Sequence, residues 1–305
     1  MELALNIEAQ NGLNWDNWKR IVVAAEEMGF AAVFRSDHLA SFEGPPDLDA
    51  LECWVSLTWL AGNTKRIQFG PLVTPVTFRH PGMIARMAAN LDDLSCGRLI
   101  LGMGTGWAQR EHDMWGYPLG DLPTRFARYE EGLELVYRLF NDDNPVTWHG
   151  TYFQVKDAVI LPKPVRIGGP DLLVGGSGGK KTLALAAQFA DEWNAILMPV
   201  ARAKELSNRL DEALGKANRK PESIRRSIML NVITGRTDAD VKQNMGGKTA
   251  EEYRAIGAVG TPNAVADQLM TYAEAGMYRV VAQMNDPDDM DFLEMLGTQV
   301  IPQLA

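Results

Sequence analysis

Apolar positions along this chain follow two alternating patterns. Short, nearly continuous apolar runs at 3–7, 30–36, 67–72, 98–103, 172–174, 192–197, 228–234 and 278–282 predict buried strands. Between them apolar residues recur three or four apart, the period of a helix with one face on a core. Asn14 is placed to cap the first such helix, which carries Trp18, Ile21, Val22, Ala25 and Met28 on one face and stops at Gly29. Further helices are expected at 50–61, at 81–94 with Pro81 in its first turn, and at 125–140 with Phe126, Tyr129, Leu133, Val136 and Phe140. Others follow from Leu183, Ala187 and Ala190, across 202–217, and from Val265, Leu269 and Tyr272 to a stop at Gly276. The segment 147–155 reads as a short hairpin, and 290–304 as a closing helix.

Eight strands interleaved with helices, with no Pro/Gly/Ser-rich linker between them, predict an α/β chain folded as a (β/α)8 TIM barrel with insertions, one domain over 1–305. The stretch 235–260 is polar, holds Gly246-Gly247 and breaks the rhythm, so it is expected to be an insertion. A doubly wound open sheet is the alternative. The barrel is preferred because residues able to do chemistry recur after several different strands, which is what one barrel face requires.

Composition narrows the range of functions. The 305 residues are 46% apolar and 23% charged, with a formal net charge of −9 and no basic run, which argues against a nucleic-acid surface. Cys53 and Cys96 are too few and too far apart for a disulfide framework, and fit buried thiols in a reducing compartment. The four histidines and two cysteines show no metal-ligand spacing, so no metal is expected. The start lacks a basic and apolar leader, and no stretch nears about 18 uninterrupted apolar residues, so a cytoplasmic protein off the membrane is expected.

Candidate chemistry gathers at the predicted strand ends. Val174-Gly-Gly-Ser-Gly-Gly-Lys-Lys-Thr182 runs from a strand through glycines into a helix, a geometry that aims free backbone N–H groups and a positive helix end at an anion. It is neither a Walker loop nor a G-x-G-x-x-G turn, and a plain connection is the alternative. Ser36-Asp37-His38 ends the second strand, where a histidine suits a general acid or a purely structural hydrogen-bonding role. Gly70-Pro-Leu-Val-Thr-Pro suggests a bent strand end beneath a flat ligand. In Leu101-Gly-Met-Gly-Thr-Gly-Trp107 the alternating glycines leave room for a ring system or for close packing, and Trp107 is placed to wall a pocket. His80 reads as structural, His112 as able to reach the mouth, and His149 as part of the hairpin.

In their order and spacing these segments resemble the luciferase-like monooxygenase superfamily, in the branch that uses the deazaflavin coenzyme F420. The resemblance rests on Ser36-Asp37-His38, Thr74-Pro75, Phe78-Arg79-His80-Pro81, 94–98, 101–107, Arg110-Glu111-His112, Arg125-Phe126, 175–181, Ala190-Asp191 and Gly260-Thr261-Pro262. It implies a βα barrel with the cofactor ring in its mouth and a non-prolyl cis or bulged peptide near 71–73. It also implies cofactor contacts from Asp37, Leu72, Thr74, Thr105 and Gly106, and a phosphate at Gly176, Ser177, Gly178, Gly179, Lys181 and Thr182. His38 matches the histidine that serves the reacting oxygen in the sugar-phosphate dehydrogenases of this branch. Trp107 departs from them, standing where they carry an acidic proton-transfer partner.

The function so implied is hydride transfer between F420 and a small carbonyl, enone, imine or alcohol. His38 would be catalytic, and Trp107 and Trp193 would contact substrate. An FMN-dependent monooxygenase and a non-catalytic flavin-binding protein are the alternatives. A homodimer is implied as well.

Overall fold

The strand runs become the staves of a parallel barrel in the computed structural model, which describes residues 1–42, 45 and 47–304. In chain order the elements begin β1 (Glu2–Ile7), α1 (Trp15–Glu27), β2 (Ala32–Arg35), α2 (Cys53–Asn63), β3 (Gln68–Pro71), β4 (Thr74–Pro75) and α3 (Pro81–Leu94). They continue with β5 (Ile100–Gly104), α4 (Gln109–Trp115), α5 (Leu122–Asn141), the hairpin β6 (Val146–His149) and β7 (Gln154–Ala158), then β8 (Asp171–Gly175) and α6 (Lys180–Phe189). The last third holds β9 (Glu192–Ile196), α7 (Val200–Lys216), β10 (Arg225–Thr234), α8 (Asp238–Asn244), α9 (Ala250–Arg254), β11 (Gly257–Gly260), α10 (Pro262–Glu274), β12 (Arg279–Met284) and α11 (Met290–Met295).

The large sheet has the order β3-β2-β1-β12-β10-β9-β8-β5-β4, all parallel. β3 and β4 are two halves of one stave, broken at Leu72-Val73, whose peptide is cis. Both halves meet the run that carries β5: Phe69 N–H donates to the Arg98 carbonyl, just ahead of β5, at 3.2 Å, and β4 pairs with Met103 and Gly104 of β5. The ring therefore closes on eight staves, and the open-sheet alternative is excluded.

Local chemistry explains the element ends. The Asn14 side chain accepts from the Asp16 and Asn17 amides while Asn17 returns a bond to the Asn14 backbone, so α1 starts where expected. His80 caps α3, its ring nitrogen accepting from Gly82 N–H at 3.0 Å ahead of Pro81. The segment 235–260 is more regular than expected: it holds α8, α9 and β11, and β11 pairs with the outer part of β10. The closing segment is α-helical only over Met290–Met295, widens to a π-turn over Leu296–Val300 and tightens over Ile301–Gln303. Pro302 lacks the N–H that a longer α-helix would need there. Among the described residues no helix is long and apolar enough to cross a membrane.

The barrel interior is layered. At the N-terminal end Arg279, nearly fully buried, bonds Glu2 at 2.8 Å, Gln68 at 2.5 Å and Glu192 at 3.4 Å. Glu192 also accepts from Ser227 at 2.5 Å and Tyr278 at 2.7 Å. Above this polar plug lie Ala4, Ala32, Phe34, Ile100, Leu173 and Val281, with Leu72, Val73 and Met229 packed on them. Leu72 and Val73 are adjacent in sequence yet both face inward, as the break in the stave allows. Val73 fits because its neighbours lack side chains. A Cβ on Gly102 or on Gly175 would lie 3.0 Å from Val73 Cγ1, and one on Gly104 would overlap Val73 Cγ2.

Two outcomes follow for stability. Gly104→Ala is expected to cost about 1–3 kcal/mol by overpacking, and Val73→Ala in the same chain to recover part of that loss; denaturant unfolding of both singles and the double closes the cycle. Glu26, on α1, accepts the Lys65, Arg66 and Ile67 amides at 2.8, 2.7 and 3.2 Å. Burial pushes its pKa up, but these amides outweigh burial and hold it below the usual glutamate value. A depressed folded pKa gives stability that is present above about pH 4.3 and lost as the pH falls through the folded value. Glu26→Gln should therefore lower the melting temperature near neutrality, with the gap to wild type closing in acid.

Candidate active site

At the C-terminal end of the staves lies a cavity of about 430 Å³, lined by residues from every stave of the ring. Its floor is Leu72 and Val73. One wall is the loop after β2, another is Gly104, Thr105, Gly106 and Trp107, and a third is Gly175, Gly176 and Ser177. Asn194, Ile196, Leu197, Met229 and Gln283 complete it. Leu197 sits in the left-handed region at φ 45°, a position rare for a branched side chain and frequent at ligand sites.

The loop after β2 is anchored from beneath. The Asp37 carboxylate, nearly fully buried, accepts from both Arg79 guanidinium nitrogens at 2.5 and 3.2 Å and from the Thr74 hydroxyl at 2.6 Å. Arg79 also pairs with Glu52, and Trp54 Nε1 donates to Thr74 at 3.4 Å. Burial lowers the Arg79 pKa, but the charge of Asp37 leads the contributions that raise it well above the usual value. Asp37 reaches the cleft edge with its carboxylate already engaged. Thr74 is fully buried beneath the cleft and outside its lining, so the expected direct contact from Thr74 is corrected to a supporting bond.

Held on this anchor, His38 faces the cleft with its side chain 18% exposed. Its Nδ1 lies 2.9 Å from Glu111 Oε1, and Glu111 Oε2 accepts the Leu39 amide at 2.8 Å. Glu111 is almost fully buried. The arrangement assigns the His38 proton at Nδ1 to Glu111 and leaves Nε2 for a ligand. Phe42 packs on His38 with ring centroids 4.4 Å apart, and Trp107, 60% exposed, lies 4.7 Å from Phe42.

Deeper in, Glu8 is buried and accepts from three amides, Asn6 at 2.7 Å, Gln10 at 2.8 Å and Gln283 at 2.7 Å. Asn194 donates to Ser227 at 2.9 Å, while its Oδ1 is buried with no protein partner.

Other expected site residues are distributed differently. Leu72, Thr105, Gly106, Trp107, Gly176 and Ser177 line the cleft; Gly178, Gly179, Lys181 and Thr182 do not. A Cβ on Gly178 would meet Leu206 Cδ1 at 2.5 Å, so that glycine serves the packing of α7. Lys181 is exposed, its ammonium 5.7 Å from the Phe126 ring, and Thr182 is buried close to Gly176. Trp193 is corrected outright. On β9 the residues Glu192, Asn194 and Ile196 face the interior, so Trp193 points the other way and is fully buried between barrel and helices. His112 does not reach the mouth. Its nitrogens meet the Ala108 carbonyl at 2.6 Å and the Thr77 hydroxyl at 2.9 Å, both in the core.

The sequence reading missed Glu8, Phe42 and Asn194, and assigned no role to Glu111. For Glu111 a signal existed: Gly116, in the left-handed conformation that ends a helix, closes α4 one turn beyond the acid.

A family model described as luciferase-like monooxygenase matches residues 2–254. An enzyme of Microbacterium testaceum named F420-dependent glucose-6-phosphate dehydrogenase is 30% identical, covering 92% of this chain and 91% of its own. A Mycobacterium kansasii protein named phthiodiolone/phenolphthiodiolone dimycocerosates ketoreductase is 34% identical over 71% of this chain and 58% of its own. The solved structure of an F420-dependent secondary alcohol dehydrogenase in complex with an F420-acetone adduct superimposes with a TM-score of 0.88 at 18% identity, covering 100% of this chain and 99% of that one.

Because Asp37 is buried, Arg79→Met is expected to strand a charge and cost about 3–5 kcal/mol. Asp37→Asn added to that variant should return part of the loss. Chemical denaturation of the two variants measures both effects.

Proposed function

The chain belongs to the luciferase-like monooxygenase family, and we propose that it is a coenzyme F420-dependent oxidoreductase acting on a small carbonyl compound or alcohol. The observation that carries this reading is His38, fixed by Glu111 through Nδ1 and turned toward the cleft over an apolar floor. The names borne by the F420-dependent and ketoreductase relatives support it.

The residues present suit such a cofactor. A flat ring needs an apolar bed, which Leu72 and Val73 supply, and its pyrimidine-like edge carries an N–H that the unpartnered Asn194 Oδ1 can accept. A phosphate-ended chain needs free amides. α6 starts after Gly176–Gly179 with no side chain capping it, so its first-turn N–H groups are available. When bound, a deazaflavin supplies a two-electron hydride carrier with little oxygen chemistry.

The protein's own share is acid–base chemistry and orientation. Glu111 holds the His38 ring in one tautomer and one orientation. Nε2 then takes the hydroxyl proton of an alcohol as it becomes a carbonyl, or returns it to the oxygen in the reverse direction. Phe42 and Trp107 lie beside His38 and keep water from the reacting oxygen.

Fluorescence titration with F420 and, separately, with flavin mononucleotide tests the cofactor, and tighter F420 binding is the expected result. His38→Asn should lower turnover by about 10²–10⁴-fold with F420 affinity little changed. Preferential binding of flavin mononucleotide, with oxygen uptake, would overturn the cofactor; unchanged turnover in His38→Asn would overturn the role of the histidine.

A further inference from the structure

We infer that the substrate is an uncharged, mainly apolar ketone or secondary alcohol, and that the cleft turns away phosphorylated and other anionic compounds. This rests on the oxidoreductase reading above and concerns the end of the cleft around His38, away from the start of α6.

Charge is the first argument. Among the described residues that line the cleft there is no lysine or arginine, while Glu8, Asp37 and Glu111 are all present. Arg79 answers the charge of Asp37 from below. Glu111 is met by the His38 ring and the Leu39 amide. Glu8 is held by three neutral amides. A phosphate brought to His38 would lose its water and meet carboxylates, with no lysine or arginine among the described lining residues to offset either cost. An alcohol asks only that its hydroxyl donate to His38 Nε2, and a ketone only that the protonated Nε2–H donate to its oxygen.

Shape is the second argument. Beside His38 stand the rings of Phe42 and Trp107, and Ile196, Leu197 and Met229 add aliphatic surface to the same cleft. Phe42 and Trp107 also border an adjoining outer hollow of about 500 Å³, formed with Asn11, Ser41, Ala108, Gln109 and Arg110. The two rings are thus shared by an inner compartment with no lysine or arginine among its described lining residues and an outer one that holds Arg110. A neutral body can lie inside while polar substituents stay outside.

The relative named a glucose-6-phosphate dehydrogenase would therefore share this chain's fold and differ in what it admits. Selectivity of this kind is built by leaving the wrong ligand unpaired as much as by contacting the right one.

The test is calorimetric titration of the F420-loaded protein with acetophenone and with glucose 6-phosphate, followed by kcat/KM for 1-phenylethanol, cyclohexanol and glucose 6-phosphate. Acetophenone should bind, and the neutral alcohols should exceed glucose 6-phosphate by about 100-fold or more in kcat/KM. Glucose 6-phosphate that binds as well as acetophenone, or turns over as fast as the neutral alcohols, overturns the inference. So does a protein that holds F420 yet binds neither compound. If F420 itself does not bind in the same calorimeter, the cofactor reading is what fails. The two compounds titrated into the cofactor-free protein then decide the charge selection alone, with acetophenone binding supporting it and glucose 6-phosphate binding or no binding overturning it.

Discussion

Val73 is a side chain that the barrel has to make room for. The broken stave turns both Leu72 and Val73 inward, and the space Val73 fills is the space that Gly102, Gly104 and Gly175 leave. Three staves are interlocked by one isopropyl group, since β5 and β8 approach the break as closely as they do only while they carry no side chains at those positions. The floor of the cleft is the upper surface of the same group. The alternating glycines of 101–107 therefore act on a ligand through Val73, which they admit, and the packing that closes the ring is also the packing that gives a flat molecule its bed.

Buried charge does the complementary task of fixing what stands around that floor. Asp37 is pulled down by Arg79 and Thr74, which sets the direction of the next residue, and that residue is His38. Glu111 then reaches across from α4 to hold both the His38 ring and the Leu39 amide. Two carboxylates from distant parts of the chain thus locate one imidazole, one through the backbone before it and one through the ring and the backbone after it. Isolated buried ions add little to stability, yet such clusters can define one arrangement of a loop that has few apolar contacts of its own.

The parts of this architecture written in local patterns were legible in the sequence. The staves came from short apolar runs, α1 from Asn14 and Gly29, α3 from Pro81, and the irregular peptide near 71–73 from family resemblance. What stayed hidden depends on long-range partners. α4 is short and mostly polar, and its inner face is the adjacent pair Glu111 and His112, which matches no helical period. Phe42 sits in a polar loop without periodicity. Trp193 was misassigned because a strand buried on both faces masks its own parity; the polar Glu192 and Asn194 on either side held the clue to which face looks inward. Glu8 and Asn194 are ordinary polar residues until the ring closes and sets them around one cavity.

The polar plug gives the molecule a direction. With Arg279, Glu192, Glu2 and Gln68 filling the N-terminal end, the interior is a tube stopped at that end, with its cleft at the other. In a vessel of that kind, a molecule laid against the floor would have to arrive before one stacked over it and leave after it. Sequence of entry would then be set by the architecture of the barrel, before any difference in affinity is considered.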